Sequence, residues 1–188
     1  MKKMSTGLIV VIVLIVLAIG FFVTNYNSMV DKSETVDAKF SDIDTQLQRR
    51  ADLIPNLVST VKGIMSHEQE AIEKVTDART KLVNAKSVSE KANADNELTQ
   101  ALNNFLVVVE AYPDLKANTN FLNLMDELAG TENRIATARK DYNDAVKDYN
   151  SYIKKMPNSI VAGMFNFNEK EYFKATEGSD EVPKVNFE

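Results

Sequence analysis

The feature that most constrains this chain is an apolar run close to its N-terminus. Residues 8–23, LIVVIVLIVLAIGFFV, are sixteen consecutive residues without a polar side chain. With Thr6, Gly7 and Thr24 the run reaches about nineteen residues, roughly 28 Å of α-helix, which just spans the hydrocarbon core of a bilayer. A run with no polar face does not suit a helix on the core of a soluble protein. The sequence therefore predicts a transmembrane anchor within residues 1–24, with residues 8–23 in contact with the lipid bilayer.

A cleaved signal peptide is the main alternative to a retained anchor. The tripeptide AIG at residues 18–20 has the small side chains of a cleavage site. Two phenylalanines follow it immediately and lengthen the apolar run, which favours a retained anchor.

The charges beside the run predict its orientation. Lys2, Lys3 and the terminal amine precede the run, and the first charged residues after it are Asp31 and Lys32. The positive-inside rule then places a short N-terminal tip in the cytoplasm and the following domain outside it. Lys32 and Lys39 follow the run and equal Lys2 and Lys3 in number, so the opposite orientation stays open.

Composition favours an all-α domain behind the anchor. The 188 residues include only six glycines and four prolines, too few for a turn-rich β-sandwich or barrel. The formal charge is -5, and the basic residues are interspersed with acidic ones, so we predict no nucleic-acid partner. The absence of cysteine excludes disulfides, thiolate metal sites and cysteine nucleophiles.

Helical periodicity continues directly behind the apolar run. No helix breaker precedes Pro55, so the first helix is predicted to leave the membrane without interruption. Because proline has no N–H to donate to the carbonyl of Ala51, we expect a turn at Pro55, with Asp52 capping the next helix. The apolar positions of this first helix are Tyr26, Val30, Val36, Phe40, Ile43 and Leu47.

Three further helices are predicted before residue 157. The segment KSVSEKANADNE is expected to connect the second helix to the third, and Ser87 with Glu90 has capping-box spacing. Pro113 should end the third helix, and the fourth should cover about residues 119–155. The second helix is predicted from the apolar spacing of Leu57, Val61, Ile64, Ile72, Val75 and Leu82.

These elements predict an all-α fold: an N-terminal transmembrane helix followed by an antiparallel four-helix bundle with long helices, over residues 25–157. Residues 158–188 are expected to form a short helix that packs across the bundle, and a tail. The acidic end from Gly178 is expected to be mobile.

Known catalytic and metal-binding patterns are incomplete in this sequence. The string HEQE resembles the start of the zinc motif H-E-x-x-H, but His67 is the sole histidine. The Glu-x-x-His pairs of di-metal bundles, a nucleophile elbow and a phosphate loop are also missing. We therefore predict a protein that is not an enzyme and has no metal or cofactor.

Charged residues on predicted apolar faces are the remaining candidates for a site. Arg50 continues the face of Ile43 and Leu47 in the first helix, and Glu132 and Arg139 lie on the apolar face of the fourth. Each charge would cost several kcal/mol if buried without a partner, so we predict that Arg50 pairs with Glu132 and fixes the register of the helices. The alternative is a polar pocket for a small anion or for a carboxylate of a partner. The candidate polar network consists of Arg50, Asp52, Glu132 and Arg139, with Pro55 and Pro113 at helix junctions.

These residues lie in strings that resemble the LemA family of bacterial membrane-anchored helical proteins. The matching strings are QLQRRADLIPNLVSTVKG, HE at residue 67, ARTKL, VVEAYPDLKANTNFLNLMDELAGTENRIATARKDYNDAV, YN at residue 149 and VPKVNF. The resemblance implies an N-terminal membrane helix and a helical bundle, and it supplies no reaction, catalytic residue or cofactor. One branch of the family is linked to bacterial organelle membranes, and some accounts place the short N-terminus outside the cell.

The predicted function is that of a non-enzymatic, single-pass membrane protein. Its bundle would act as an interaction or scaffolding module at the bacterial cell envelope, with the soluble domain extracytoplasmic. An unknown protein partner at the membrane is expected, and a homo-oligomer is compatible with the sequence. The alternative function is a regulatory or small-ligand-binding domain that uses a polar pocket near Arg50 and Glu132.

Overall fold

The computed structural model describes residues 6–65 and 67–174, and every regular element in those ranges is a helix. The prediction of an all-α fold is confirmed. The acidic end from Gly178 lies outside the described residues. The helices are α1 (Thr6–Val61), α2 (Gln69–Asn84), α3 (Val88–Val109), α4 (Pro113–Lys116), α5 (Thr119–Lys154) and α6 (Asn158–Phe165).

The apolar run forms the first part of α1, a helix of 56 residues. Its most apolar stretch is 0% buried against the rest of the protein. Among the described residues, α1 is the one helix long and apolar enough to cross a membrane. An exposed apolar helix of this length is what the sequence predicted for an anchor.

The prediction that Pro55 ends the first helix is wrong. Pro55 lies inside α1, which continues to Val61. Proline deprives the carbonyl of Ala51 of its helical donor, and Arg79 Nε of α2 donates to that carbonyl at 2.8 Å. Because the buried carbonyl keeps a partner, the helix can continue through the proline.

Asp52 is not a helix cap, which also corrects the prediction. It lies within α1, is exposed, and accepts a 2.8 Å hydrogen bond from Gln48 Nε2, one helical turn earlier. Helix α2 begins only at Gln69, so Leu57 and Val61 belong to the end of α1 rather than to the second helix.

A capping box begins α3, as predicted. The Ser87 hydroxyl accepts the N–H of Glu90 at 3.1 Å, and the Glu90 carboxylate accepts the N–H of Ser87 at 3.0 Å. Since α3 starts at Val88, most of the predicted connection KSVSEKANADNE is helical, which corrects its extent. The segment between α2 and α3 is only residues 85–87, and the two helices pack side by side.

The later helix boundaries follow the prolines. Helix α3 stops at Val109, as predicted, and Pro113 is the first residue of the short helix α4, where a missing N–H costs nothing. Helix α5 ends at Lys154, one residue before the predicted end, and the predicted short helix α6 follows Pro157.

The chain divides into two compact units. Among the described residues, the first consists of 6–39 and 144–170, and the second of 40–65, 67–143 and 171–174. Fully buried core side chains of the first unit include Met29, Val36, Val146 and Val161. Those of the second unit include Ile43, Leu47, Ile54, Leu98, Leu115 and Ile135. The antiparallel four-helix arrangement and the bounds of the predicted domains stay predictions.

Candidate functional site

A cluster of four charged residues lies in the second unit. This charged cluster comprises Arg50 of α1, Asp95 of α3, and Glu132 and Arg139 of α5. Arg50 Nη1 donates to Asp95 Oδ1 at 2.6 Å, and Arg139 Nη2 donates to Asp95 Oδ2. Arg50 Nη1 also lies 2.8 Å from Glu132 Oε2. Asp95 therefore bridges two arginines from different helices.

Burial ranks the members of the charged cluster. The Asp95 side chain is 0% exposed and that of Arg50 is 5% exposed, whereas the Glu132 side chain is 41% exposed. The structure brings Arg50 to Glu132, as the sequence suggested, but the interior partner of Arg50 is Asp95. Glu132 lies at the rim, with its Oε2 atom buried and turned toward Arg50.

The hydrogen-bond geometry agrees with that ranking. Arg50 and Glu132 are at ion-pair distance, yet Glu132 Oε2 has no hydrogen-bond partner, and neither do the Nε atoms of Arg50 and Arg139. The hydrogen bonds within the charged cluster all converge on Asp95. Asp95 is thus the member whose loss would deprive both guanidinium groups of their hydrogen-bond acceptor in the charged cluster.

Burial also shifts the ionisation of the two arginines. Desolvation lowers the pKa of Arg50, against the attraction of Glu132. Desolvation likewise lowers the pKa of Arg139, and the positive charge of Arg50 adds to the effect. A guanidinium stays protonated in proteins even when it is buried. The charged cluster therefore holds two cations against two carboxylates. Such a balanced cluster suits a structural role better than proton transfer.

Asp95 was missed because its neighbours are polar. The string NADNE reads as a connection, and the carboxylate was not assigned to a helix face. The signal was its spacing: Asp95 stands three residues before Leu98 and seven before Leu102, both buried. Extending the apolar face of α3 back by one turn would have placed Asp95 inside.

Phe173 covers one side of the charged cluster. Its ring lies 4.9 Å from the guanidinium carbon of Arg139, and the residue is 3% exposed. Asn143 fixes its backbone, because Asn143 Oδ1 accepts the Phe173 N–H at 2.9 Å and Asn143 Nδ2 donates to the Phe173 carbonyl at 3.0 Å. Tyr142 adds a 2.7 Å hydrogen bond to the carbonyl of Glu171. The segment around Phe173 is thereby held against Arg139.

The first unit contains a similar arrangement. Tyr149 donates to the carbonyl of Asn168 at 3.0 Å, and Asn150 both accepts the N–H of Lys170 and donates to its carbonyl at 2.9 Å. Burial raises the pKa of Tyr149, and the negative charge of Asp37 adds to the shift. Each unit therefore uses one Tyr-Asn pair of α5 to hold the backbone of a segment that follows α6.

A cleft of about 430 Å³ lies beside α1 and α5 in the second unit. Members of the charged cluster do not line it, and the predicted pocket near Arg50 and Glu132 stays a prediction. Its lining residues are Asp42, Thr45, Gln46, Asn133, Arg134, Thr137, Ala138 and Asp141.

The part of the chain that the structure describes contains no set of side chains suited to bind a metal ion. Within residues 6–65 and 67–174 there is no group of three or more histidines and carboxylates arranged to hold an ion. The carboxylates of the charged cluster face guanidinium groups. His67 is exposed.

The fold and the charged cluster define a class: all-helical proteins with an N-terminal helix able to span a membrane and paired charges in the helical core. The chain belongs to the LemA family, whose family model matches residues 39–187. This finding confirms the resemblance seen in the sequence.

Two similar proteins are the magnetosome proteins MamQ 2 and MamQ 1 of Paramagnetospirillum magneticum strain AMB-1. Each is 31% identical over 201 residues, a match that covers 93% of this chain and 74% of the relative. Protein LemA of Metamycoplasma hominis is 27% identical over 175 residues, which covers 88% of this chain and 78% of the relative. The similarity therefore covers most of this chain and most of each relative.

Proposed function

We propose that this protein is a non-enzymatic, single-pass membrane protein of the bacterial cell envelope, whose helical domain is an interaction or scaffolding module. The observation that carries the proposal is the continuity of α1. One helix contains both a fully exposed apolar stretch and, further along, the buried residues Ile43 and Leu47 of the second unit. The proposal includes an antiparallel four-helix arrangement of the domain.

The non-enzymatic part rests on how the charged cluster is used. Its carboxylates face arginines, and Phe173 covers Arg139, so the cluster offers no exposed acid–base pair for a substrate. The names of the relatives, magnetosome protein and LemA, describe no reaction. A closed cluster supports a role in fixing the helices of a module that binds other proteins.

The orientation in this proposal follows from charge. Lys2 and Lys3 precede the apolar run, and Asp31 is the first charged residue after it. The positive-inside rule then places the helical domain outside the cytoplasm.

Photo-cross-linking in intact cells tests the interaction role. Val107 of α3 is 72% exposed, so a photoreactive amino acid at this position points away from the core. Recurrent capture of a defined protein, absent from a control with residues 1–24 fused to an unrelated domain, is the expected result. Capture of lipid alone, or of the same proteins by the control, would contradict a scaffolding role.

Protease treatment of whole cells tests the orientation separately. If the domain is extracytoplasmic, the protease should cut it once the layers outside the inner membrane are permeable. A cytoplasmic marker protein should stay intact under the same conditions. A domain that is protected until the inner membrane is broken would reverse the proposed orientation without touching the interaction role.

A further inference from the structure

Helix α6 presents an apolar surface that the first unit does not cover. Val161 and Ala162 are 0% and 5% exposed and face the protein, whereas Ile160 and Met164 are 51% and 62% exposed. Phe165 is 49% exposed at the end of the same helix. We name Ile160, Met164 and Phe165 the α6 apolar face.

The sequence around α6 carries no charge. Between Lys155 and Glu169 there is no acidic or basic residue. Exposed segments of soluble proteins normally mix charged side chains with apolar ones, so an uncharged helix with an apolar face indicates a surface that something other than water covers.

Contacts with α1 fix the depth of α6 relative to the anchor. The ring of Tyr26 lies 4.8 Å from that of Phe165 and 5.6 Å from that of Phe167, between ring centroids. Tyr26 stands three residues after the apolar run, about 4.5 Å along the helix axis at 1.5 Å per residue. The polar interface of a bilayer adds roughly 5 to 7 Å on each side of the hydrocarbon core. Phe165 is therefore at the depth of the lipid headgroups.

The same part of the first unit is held by further polar contacts to α1. Tyr152 donates to Asn25 Oδ1 at 3.0 Å, and Asn25 Nδ2 donates to the carbonyl of Phe21 at 2.9 Å. Asn25 and Tyr26 lie two and three residues after the apolar run. The end of α5 is thus bonded to the part of α1 just after the apolar run. This contact keeps α6 close to the bilayer surface.

From these observations we propose that α6 lies in the headgroup region of the bilayer that residues 8–23 cross, with the α6 apolar face against the acyl chains. This inference rests on the proposed membrane anchoring. Tyrosine side chains such as Tyr26 are favoured at this depth because the ring is apolar and the hydroxyl is polar, whereas the purely apolar ring of Phe165 can turn toward the acyl chains. Helices with one apolar face bind membrane surfaces by burying that face at the boundary between headgroups and acyl chains.

A second copy of the chain is the competing occupant of the α6 apolar face. Stable protein interfaces bury about 800 Å² on each partner. Three half-exposed side chains on an eight-residue helix offer much less. The bilayer needs no such area, because the anchor already holds α6 beside it, and the effective concentration of lipid is high.

Tryptophan fluorescence in vesicles tests this inference, because the chain has no tryptophan of its own. The full-length protein is reconstituted as the single variant Met164→Trp, in lipids with or without bromine on the acyl chains. Bromine quenches only a tryptophan in contact with those chains. We expect blue-shifted emission from Met164→Trp and loss of most of it in the brominated lipid. Ile160→Trp gives the same readout if the first variant does not fold.

Two matched variants separate the inference from the anchor on which it rests. Leu17→Trp, in the apolar run and 64% exposed, should be quenched, and Val107→Trp, 72% exposed in the second unit, should not. Quenching of Leu17→Trp without quenching at Met164 or Ile160 would overturn the inference and leave the anchor standing. An unquenched but blue-shifted Met164→Trp would show a protein on this face and overturn it too. An unquenched Leu17→Trp would overturn the anchoring itself.

Discussion

Arg79 Nε donates a 2.8 Å hydrogen bond to the carbonyl oxygen of Ala51, the carbonyl that Pro55 leaves without its donor in α1. The bond joins α2 to α1 at the point where a proline would otherwise interrupt the helix. Ala51 is 0% exposed, so this carbonyl has no contact with solvent while Arg79 is in place. A side chain from the next helix thereby maintains the continuity of α1.

Replacing Arg79 should destabilise the protein through Pro55. Arg79→Ala leaves the buried carbonyl of Ala51 unpaired, which should cost about 1 to 3 kcal/mol in the free energy of unfolding. In the background Pro55→Ala, the backbone N–H at residue 55 can serve that carbonyl, and the same Arg79 substitution should cost less. Urea unfolding of the four proteins gives the coupling, and equal costs in both backgrounds would rule out this role for Arg79.

Asp95 and Glu132 should differ sharply when each is neutralised. Asp95→Asn leaves two largely buried arginines without their shared carboxylate and should cost on the order of 3 to 5 kcal/mol. Glu132→Gln changes a side chain that is 41% exposed and should cost less than about 1 kcal/mol. Thermal and urea unfolding of both variants measure the difference. Similar losses would mean that Asp95 is no more important to the charged cluster than Glu132.

Asn143 should control the protection of the backbone at Phe173. Asn143→Ala removes both the acceptor of the Phe173 N–H and the donor to its carbonyl. Hydrogen exchange at that amide should become faster by at least about tenfold, which corresponds to a loss of about 1.4 kcal/mol of local stability. Asn123→Ala is the control, since Asn123 is an exposed residue of the same helix. Unchanged exchange at Phe173 would show that packing of its ring alone holds the segment.

The capping box should make part of the stability depend on acid pH. Hydrogen bonds from the backbone N–H groups of Ser87 and Lys86 hold the pKa of Glu90 below its ordinary value of 4.5. A carboxyl whose pKa is lowered by folding stabilises the folded state above its unfolded pKa, and this contribution is lost as the pH falls through the lowered value. The wild type should therefore unfold at a higher temperature than Glu90→Gln at pH 7. The difference should shrink as the pH falls below 4.5, and a difference that stays constant with pH would assign the effect to something other than the charge.

Local rules account for the parts of the fold that the sequence predicted well. The cap of α3 needs only Ser87 and Glu90, three residues apart, and the start of α4 needs only the missing N–H of Pro113. The long helix α5 follows from an apolar face that recurs at helical spacing and is interrupted only at Glu132 and Arg139. These are interactions between neighbours in the sequence, so their pattern can be read from the sequence.

The candidate site was predicted in part for the same reason. Arg50 and Arg139 were found because they interrupt apolar faces, and Glu132 was found in the same way. Asp95 was missed because its string is polar, and its burial depends on arginines 45 residues before it and 44 residues after it. The two Tyr-Asn pairs of α5 bind the backbone of the segment that follows α6. That segment has no periodicity from which these hydrogen bonds could be predicted.

By itself the sequence determined that the chain is helical, that its first helix is apolar enough for a bilayer, and that three charges lie on apolar faces. Only the tertiary structure decided that α1 continues through Pro55, that Asp95 is the carboxylate at the centre of the charged cluster, and which residues of α6 remain uncovered. The physical reason is the range of the interactions. Periodicity and capping act within a few residues, whereas a hydrogen bond to an unpaired carbonyl, a buried ion pair and an uncovered face require partners that only folding brings together.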